Sequence, residues 1–335
     1  MLVAGSRKRS PIRYTETPIF FSLVDYRNSY FMSNEPEKIL EFYDGFDNRD
    51  ELIRWMKERP KGVANLYEVE GRKNIIVVIP TADFNGRYAR NCREEIFKGL
   101  HMIFVESGEF PDPYFNFAHN CNVGIIRAME YDPEWIVVSN DDMYKISPIE
   151  ELEEELHRIE NTEVYLVMTK YPGELHSLTE YVGTSTFIRK AIMSLSPKYR
   201  QKYKIEKKFG LRVLTWRDWY GGLTSRLLYK EMFHLKATYS FGIISGYYAS
   251  IFQGCVFDET YQNGMEDIDL SFRVQKSPGR VSFVNYQIGS YSASTMGTGE
   301  FRWLRDLSNK LYFQEKLFGE DSDAFEILTK RSQGV

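Results

Sequence analysis

Cysteine is scarce in this chain: three residues in 335, Cys92, Cys121 and Cys255, with no CxxC pair among them. Such spacing supports neither a disulfide framework nor a cysteine zinc site, and a reducing, cytoplasmic compartment is expected. Long apolar runs are missing too. The cleanest, Ile75–Ile79, is far shorter than the roughly 20 residues a membrane-spanning helix needs. The opening residues MLVAGSRKRS put a short apolar stretch before the basic cluster, the reverse of a secretory signal. There is no Asn-x-Ser/Thr sequon, no low-complexity tract and no internal repeat. Neither charge dominates: 43 Lys and Arg face 47 Asp and Glu, for a net charge of −4. A nucleic-acid coat protein is normally basic, so nucleic acid is not an expected partner.

What is present is globular. Hydrophobic residues make up 43% and charged residues 27%, ordinary usage for a chain long enough to bury a large core. Residues 1–72 read as a small α/β extension. Asn48-Arg49-Asp50-Glu51 has the form of a capping box, ahead of Leu52, Trp55 and Met56 on one helical face. Lys57, Arg59, Pro60 and Gly62 give the helix stop, and Ile19-Phe20-Phe21 reads as a strand. This segment offers no converging polar groups, so it is expected to stand outside the chemistry.

From Asn74 strands and helices alternate. Strands are expected at Ile75–Ile79, Met102–Val105, Trp135–Val138 and Val164–Met168, with helices over Tyr88–Leu100, Phe115–Met129 and Pro148–Ile159. That alternation argues for right-handed βαβ crossovers and a doubly wound sheet across residues 73–298. Residues 198–236 read as helical and the strand pattern resumes near Ala237. In the tail, residues 299–335, Trp303, Leu304, Leu307 and Leu311 recur at helical spacing.

In open parallel sheets, ligands bind beyond the carboxyl ends of the strands. There, neither a GxGxxG nor a GxxxxGK[ST] sequence occurs, which excludes the dinucleotide-dehydrogenase and P-loop classes. Asn140-Asp141-Asp142 follows the third strand. Two adjacent acids repel, and a hard divalent cation relieves the repulsion; the same residues also suit an Asx turn before the next helix. A second cluster, Glu266-Asp267-Ile268-Asp269, opens a helix on which Asp269 can pair with Arg273. Acids there complement the helix dipole, and an acid so placed can also reach a bound hydroxyl as a general base.

Taken in order, Val78-Ile79-Pro80-Thr81, Val105-Glu106-Ser107-Gly108, Asn122-Val123-Gly124, Asn140-Asp141-Asp142, Phe257-Asp258-Glu259 and Glu266-Asp267-Ile268-Asp269-Leu270-Ser271-Phe272-Arg273 give the stretch from about Asn74 to Met296 its resemblance to the family 2 glycosyltransferases. The resemblance implies the GT-A fold: an α/β domain with a Rossmann-like, mostly parallel central sheet flanked by helices. It implies an inverting transfer from a nucleotide-diphosphate sugar to an acceptor hydroxyl on a glycan or lipid-linked glycan, with Mn²⁺ or Mg²⁺ as cofactor. Pro80, Thr81 and Glu106 match positions that hold the donor base, and Glu106 stands where Asp is usual. Asn122 and Gly124 match the Asn-x-Gly beside the nucleotide. Asn140, Asp141 and Asp142 match the DxD-type motif, with Asp142 in the metal place. Asp267 matches the catalytic base. The stretch Asn285–Ser290 lacks the His that many relatives carry there.

Glu266, Asp269 and Trp219 are weaker candidates for the acceptor side, with Trp216 and Tyr220 near the last. Aromatics at helical spacing are more often core. The Trp303/Leu307/Leu311 face, with basic residues nearby, would suit a peripheral membrane contact or a homodimer, or packing on the catalytic domain. Two alternatives stand beside a transferase. A sugar-phosphate nucleotidyltransferase normally has a glycine-rich basic loop, whereas Thr81–Arg87 contains only Gly86. A non-catalytic binding module on a degenerate GT-A fold would not need intact Asp142 and Asp267.

Overall fold

A run such as Ile75–Ile79 has no polar residue to turn toward water, so it is stable as a strand only when both faces are covered. The computed structural model, which describes residues 23–108, 112–171, 174–177, 197–211, 234–237, 241–291 and 300–318, places it so. Elements are labelled in chain order. Helices α1 (Leu23–Phe31), α2 (Pro36–Asp44) and α3 (Arg49–Glu58) precede strand β1 (Ala64–Val69). Strand β2 (Arg72–Thr81) carries the apolar run and is buried from Ile75 onward. Helix α4 (Arg87–Asn91), a π-helical turn (Cys92–Ile96), β3 (Leu100–Ser107), α5 (Phe117–Met129), β4 (Trp135–Ser139), β5 (Met143–Lys145) and α6 (Ile149–His157) follow. Then come β6 (Val164–Tyr171), β7 (Glu174–Ser177), α7 (Pro197–Lys208), β8 (His234–Ala237), β9 (Phe241–Ser245), α8 (Gly246–Ile251), α9 (Glu266–Lys276), β10 (Arg280–Ser290) and α10 (Glu300–Phe318).

Eight strands form one sheet in the order β1-β3-β2-β4-β9-β6-β10-β5, and β7 pairs with β8 separately. β3 and β4 flank β2 in parallel, and β6 and β10 are parallel to each other. The protein is therefore α/β, but the sheet is mixed. β9 enters antiparallel between β4 and β6, with Val137 opposite Ile243 and Leu166 opposite Ile244. β1 and β5 run antiparallel at the two edges. A strictly alternating doubly wound sheet is thus corrected: the chain returns for β9 long after the strands that flank it. The helix expected over Tyr88–Leu100 is also shorter. It passes into the π turn and ends before Gly99, whose φ of +94° suits a residue without a Cβ.

Helices cover both faces of the sheet. One core joins Ile75, Val77 and Ile79 to Cys92, Ile96, Leu152 and Leu156. The other joins Ile76, Val78, Ile103 and Val105 to Cys121, Ile125, Leu270 and Val274. A third core is helical: Phe31, Phe42, Phe46 and Trp55 pack with Ile205, Leu304, Leu307 and Leu311. It also takes Met265 and Ile268, so α9 is gripped by the sheet on one side and by the helical layer on the other.

The N-terminal segment is accordingly not an appendage. Its described part before β1 is all helix, and the expected boundary at residue 72 falls between two strands of one sheet. Asn48 caps α3 as expected, accepting from the Glu51 amide at 3.0 Å, but the Glu51 carboxylate reaches back to the Asp47 amide and not to Asn48. Arg59, read as a helix-stop charge, is buried and donates to Asn28 Oδ1 and the Pro113 carbonyl, both at 2.8 Å. The apolar face of α10 is covered by this chain's own helices. Ile19–Phe21, Trp216, Trp219 and Tyr220 lie outside the described residues.

Candidate functional site

Because β2, β3 and β4 are parallel, their carboxyl ends share one edge, and Thr81, Glu106 and Asn140–Asp142 gather there. Thr81 Oγ1 donates to Asp141 Oδ2 at 2.6 Å, tying the first loop to the third. Burial raises the Asp141 carboxyl above its ordinary value, and the adjacent Asp142 carboxylate adds to the effect. Asp142 is buried, and its carbonyl accepts from the Tyr291 amide at 2.9 Å. Asn140 is half-buried at the strand end, and Pro80 is buried within β2. Glu106, one carbon longer than the usual Asp, accepts from the Phe84 amide at 2.7 Å. Tyr67 and Phe84 stack beside it, centroids 4.6 Å apart and nearly coplanar at 8°.

Asn122 and Gly124 do not reach this edge. The Asn122 amide is bonded to both the N–H and the carbonyl of Phe257, each at 2.9 Å, and to Glu259. A Cβ on Gly124 would sit 2.4 Å from Val78 Cγ1 and 2.9 Å from Val105 Cγ2, so the glycine lets α5 lie close on the sheet. These two residues dock the Phe257–Glu259 loop and the helix that carries it.

That loop leads to α9. Asn263 accepts from the Phe117 amide at 2.7 Å and donates to the Phe115 carbonyl at 3.1 Å, fixing the approach to α9 against the start of α5. Since α5 begins after the carboxyl end of β3, the first turn of α9 is held at the same side of the sheet. Met265, just before Glu266, is left-handed at φ 71°, a strained conformation for a side chain of that size. Glu266 is 7% exposed, and its Oε2 has no hydrogen-bond partner among the described residues. Burial raises this carboxyl to about 7, and Asp306 of α10 pushes it the same way. Loss of hydration, then the charge of Glu266, hold the partly exposed Asp267 carboxyl well above the usual range. Its Oδ1 accepts from the Ile268 amide at 2.8 Å.

Asp269 has a different fate. Buried at 1% exposure, it accepts from Arg273 Nε at 2.8 Å, as expected from the sequence, and lies 2.6 Å from Lys316 Nζ of α10. Lys316 also reaches Asp258 at 2.9 Å. Burial works against the Asp258 carboxylate, but Lys316 with the Thr260 amide and the Tyr312 hydroxyl outweighs it and holds the group at about 2. Asp269 therefore ties α9 to α10 rather than facing a ligand.

No protein-family model and no curated protein matches this sequence. Two neighbouring carboxylates at Asp141 and Asp142 suit a hard cation, and Mg²⁺ or Mn²⁺ takes its remaining oxygen ligands from phosphate and water, so the donor set fits either ion. Among the described residues, no group of three or more His, Cys, Asp or Glu side chains is placed to hold a metal, and no helix is long and apolar enough to cross a membrane.

Several polar groups near this edge were not singled out from sequence. His119 Nδ1 lies 3.0 Å from Glu259 Oε2. Lys61 donates to the Glu259 carbonyl at 2.7 Å, and burial lowers its ammonium to about 8. Asp306, Asn309 and Lys316 come from a helix whose sequence advertises only its apolar face. No local signal marks them, since each acts on residues some forty positions or more away.

Proposed function

We propose that this chain is an inverting, metal-dependent glycosyltransferase that moves a sugar from a nucleotide-diphosphate donor to an acceptor hydroxyl of a glycan or lipid-linked glycan. What carries the reading is the division of carboxylates into two groups on one side of the sheet. Asp141 and Asp142 sit at the end of β4, while Glu266 and Asp267 open α9 with raised proton affinity. One group suits a cation and a diphosphate, and the other suits proton abstraction. The ordered motifs from Pro80 to Arg273 agree with this division.

In the proposed reaction Asp267 accepts the proton of the acceptor hydroxyl. The oxygen of that hydroxyl attacks the anomeric carbon from the face opposite the leaving group. The bond to the diphosphate breaks, and its electron pair leaves with the diphosphate. Asp142, with Asp141 beside it, would hold the divalent cation, which when bound supplies Lewis-acid stabilisation of charge on the leaving diphosphate. Thr81 orients Asp141 through its hydroxyl, and Glu106 holds the Phe84 loop beside the space for the nucleotide base. A raised Asp267 is a stronger base than an ordinary carboxylate once it is ionised.

Thermal melts with UDP, GDP and dTDP, in Mn²⁺ or in EDTA, test the donor side. At least one nucleotide should raise the melting temperature only with metal, and Asp142→Ala should abolish that difference. Metal-dependent shifts of equal size in Asp142→Ala and parent would remove Asp142 from the site.

A further inference from the structure

We propose that Asp306, on the C-terminal helix α10, is a positioning residue that acts through Glu266 on the proposed catalytic carboxylate Asp267. The inference rests on the transferase reading only for the role of Asp267; the coupling itself is a property of the folded chain.

The geometry begins with a clamp. Asn309, one turn after Asp306, accepts from the Gln262 amide at 2.8 Å and donates to the Gln262 carbonyl at 3.2 Å. This pins α10 to the backbone just before the carboxylates. Asp306 then lies beneath Gly264, where a Cβ would meet Asp306 Oδ1 at 2.8 Å and Asn309 Nδ2 at 3.2 Å. Only a glycine admits α10 this closely. The result is three carboxylates, Glu266, Asp267 and Asp306, on two elements with one buried oxygen, Glu266 Oε2, lacking a hydrogen-bond partner among the described residues. An orphaned buried carboxylate oxygen is expensive unless it is protonated or meets a ligand.

The charges around the group set the direction of the coupling. From α10, Asp306 raises Glu266, and Arg302 opposes it on both Glu266 and Asp267. Arg302 and Lys310 also act on Asp306, whose own carboxyl is raised chiefly by burial. From α5, the buried Cys121 thiol faces Glu266 and is pushed well above its ordinary range, chiefly by burial. On α9 itself, Asp269 is committed to Arg273 and Lys316. Like charges in one pocket do not ionise together, so the carboxylates titrate as a coupled set and Asp306 keeps a proton within it to higher pH.

Carboxyl ¹³C NMR titration of the full chain, without substrate, tests this. The parent should show a carboxyl in the Glu266–Asp267 pair titrating near neutrality. Asp306→Asn should move it down by about one unit, and Asp306→Glu should largely restore it. Arg302→Gln, at an exposed position, should move it up, and this serves as the second measurement if Asp306→Asn does not fold. Unchanged titration in folded Asp306→Asn, or an Arg302→Gln shift of zero or downward, would overturn the proposal. Because no turnover is read, an inactive protein would sink the transferase reading and leave this coupling intact.

Discussion

At the scale of single residues, the same motif position carries different loads than its pattern suggests. Gly124 is the clearest case. A methyl group at that position would press on Val78 and Val105 at 2.4 and 2.9 Å. Gly124→Ala should therefore lift α5 from the sheet and cost about 1–3 kcal/mol, as overpacking does. A urea titration reads that loss directly; a variant as stable as the parent would show that α5 is not seated against those valines. Thr81 and Asp141 were legible because short polar side chains after a buried strand have few places to go. Asn122 was legible in position but not in role, since its partners at Phe257 lie 135 residues away. Glu106 marks the same limit: its extra carbon reaches the Phe84 amide, a contact set by how the β2 loop folds back.

Among elements, legibility followed burial. β2, β3 and β4 stand where their apolar runs place them because a strand covered on both faces has no other composition. β1 is half-exposed along its length and β5 has three residues, so neither leaves a pattern. The direction of β9 is silent too, since a central strand reads the same either way. The link between α9 and α10 is built from charges far apart in sequence, and Lys316 is its centre. Lys316→Met would leave Asp258 and Asp269 as buried carboxylates with their main cation gone, at a cost of about 3–5 kcal/mol at neutral pH. The folded value of Asp258, about 2, lies below its unfolded one. Its stabilisation is therefore present above about pH 4 and is lost as pH falls toward about 2. Urea unfolding of both proteins should show the gap closing over that window; a gap under about 1 kcal/mol at pH 7 would mean that the bridge contributes no more than a surface pair.

For the whole molecule, three cores meet at α9, and the sheet edge faces the same side as its first turn. The helical layer of α1–α3 and α10 braces the loop that carries Glu266 and Asp267, which explains why a segment without polar convergence of its own belongs to the same body. The central claim is that Asp267 acts as a base and is more than an acid complementing a helix start. Asp267→Asn keeps the side-chain size and the oxygen that accepts from the Ile268 amide, and removes the basicity. With a donor that binds the parent and a matched acceptor, product formation should fall by about 10²–10⁴-fold, the usual contribution of a general base, while donor binding and melting temperature stay at parental values. Near-parental turnover in Asp267→Asn would contradict the mechanism.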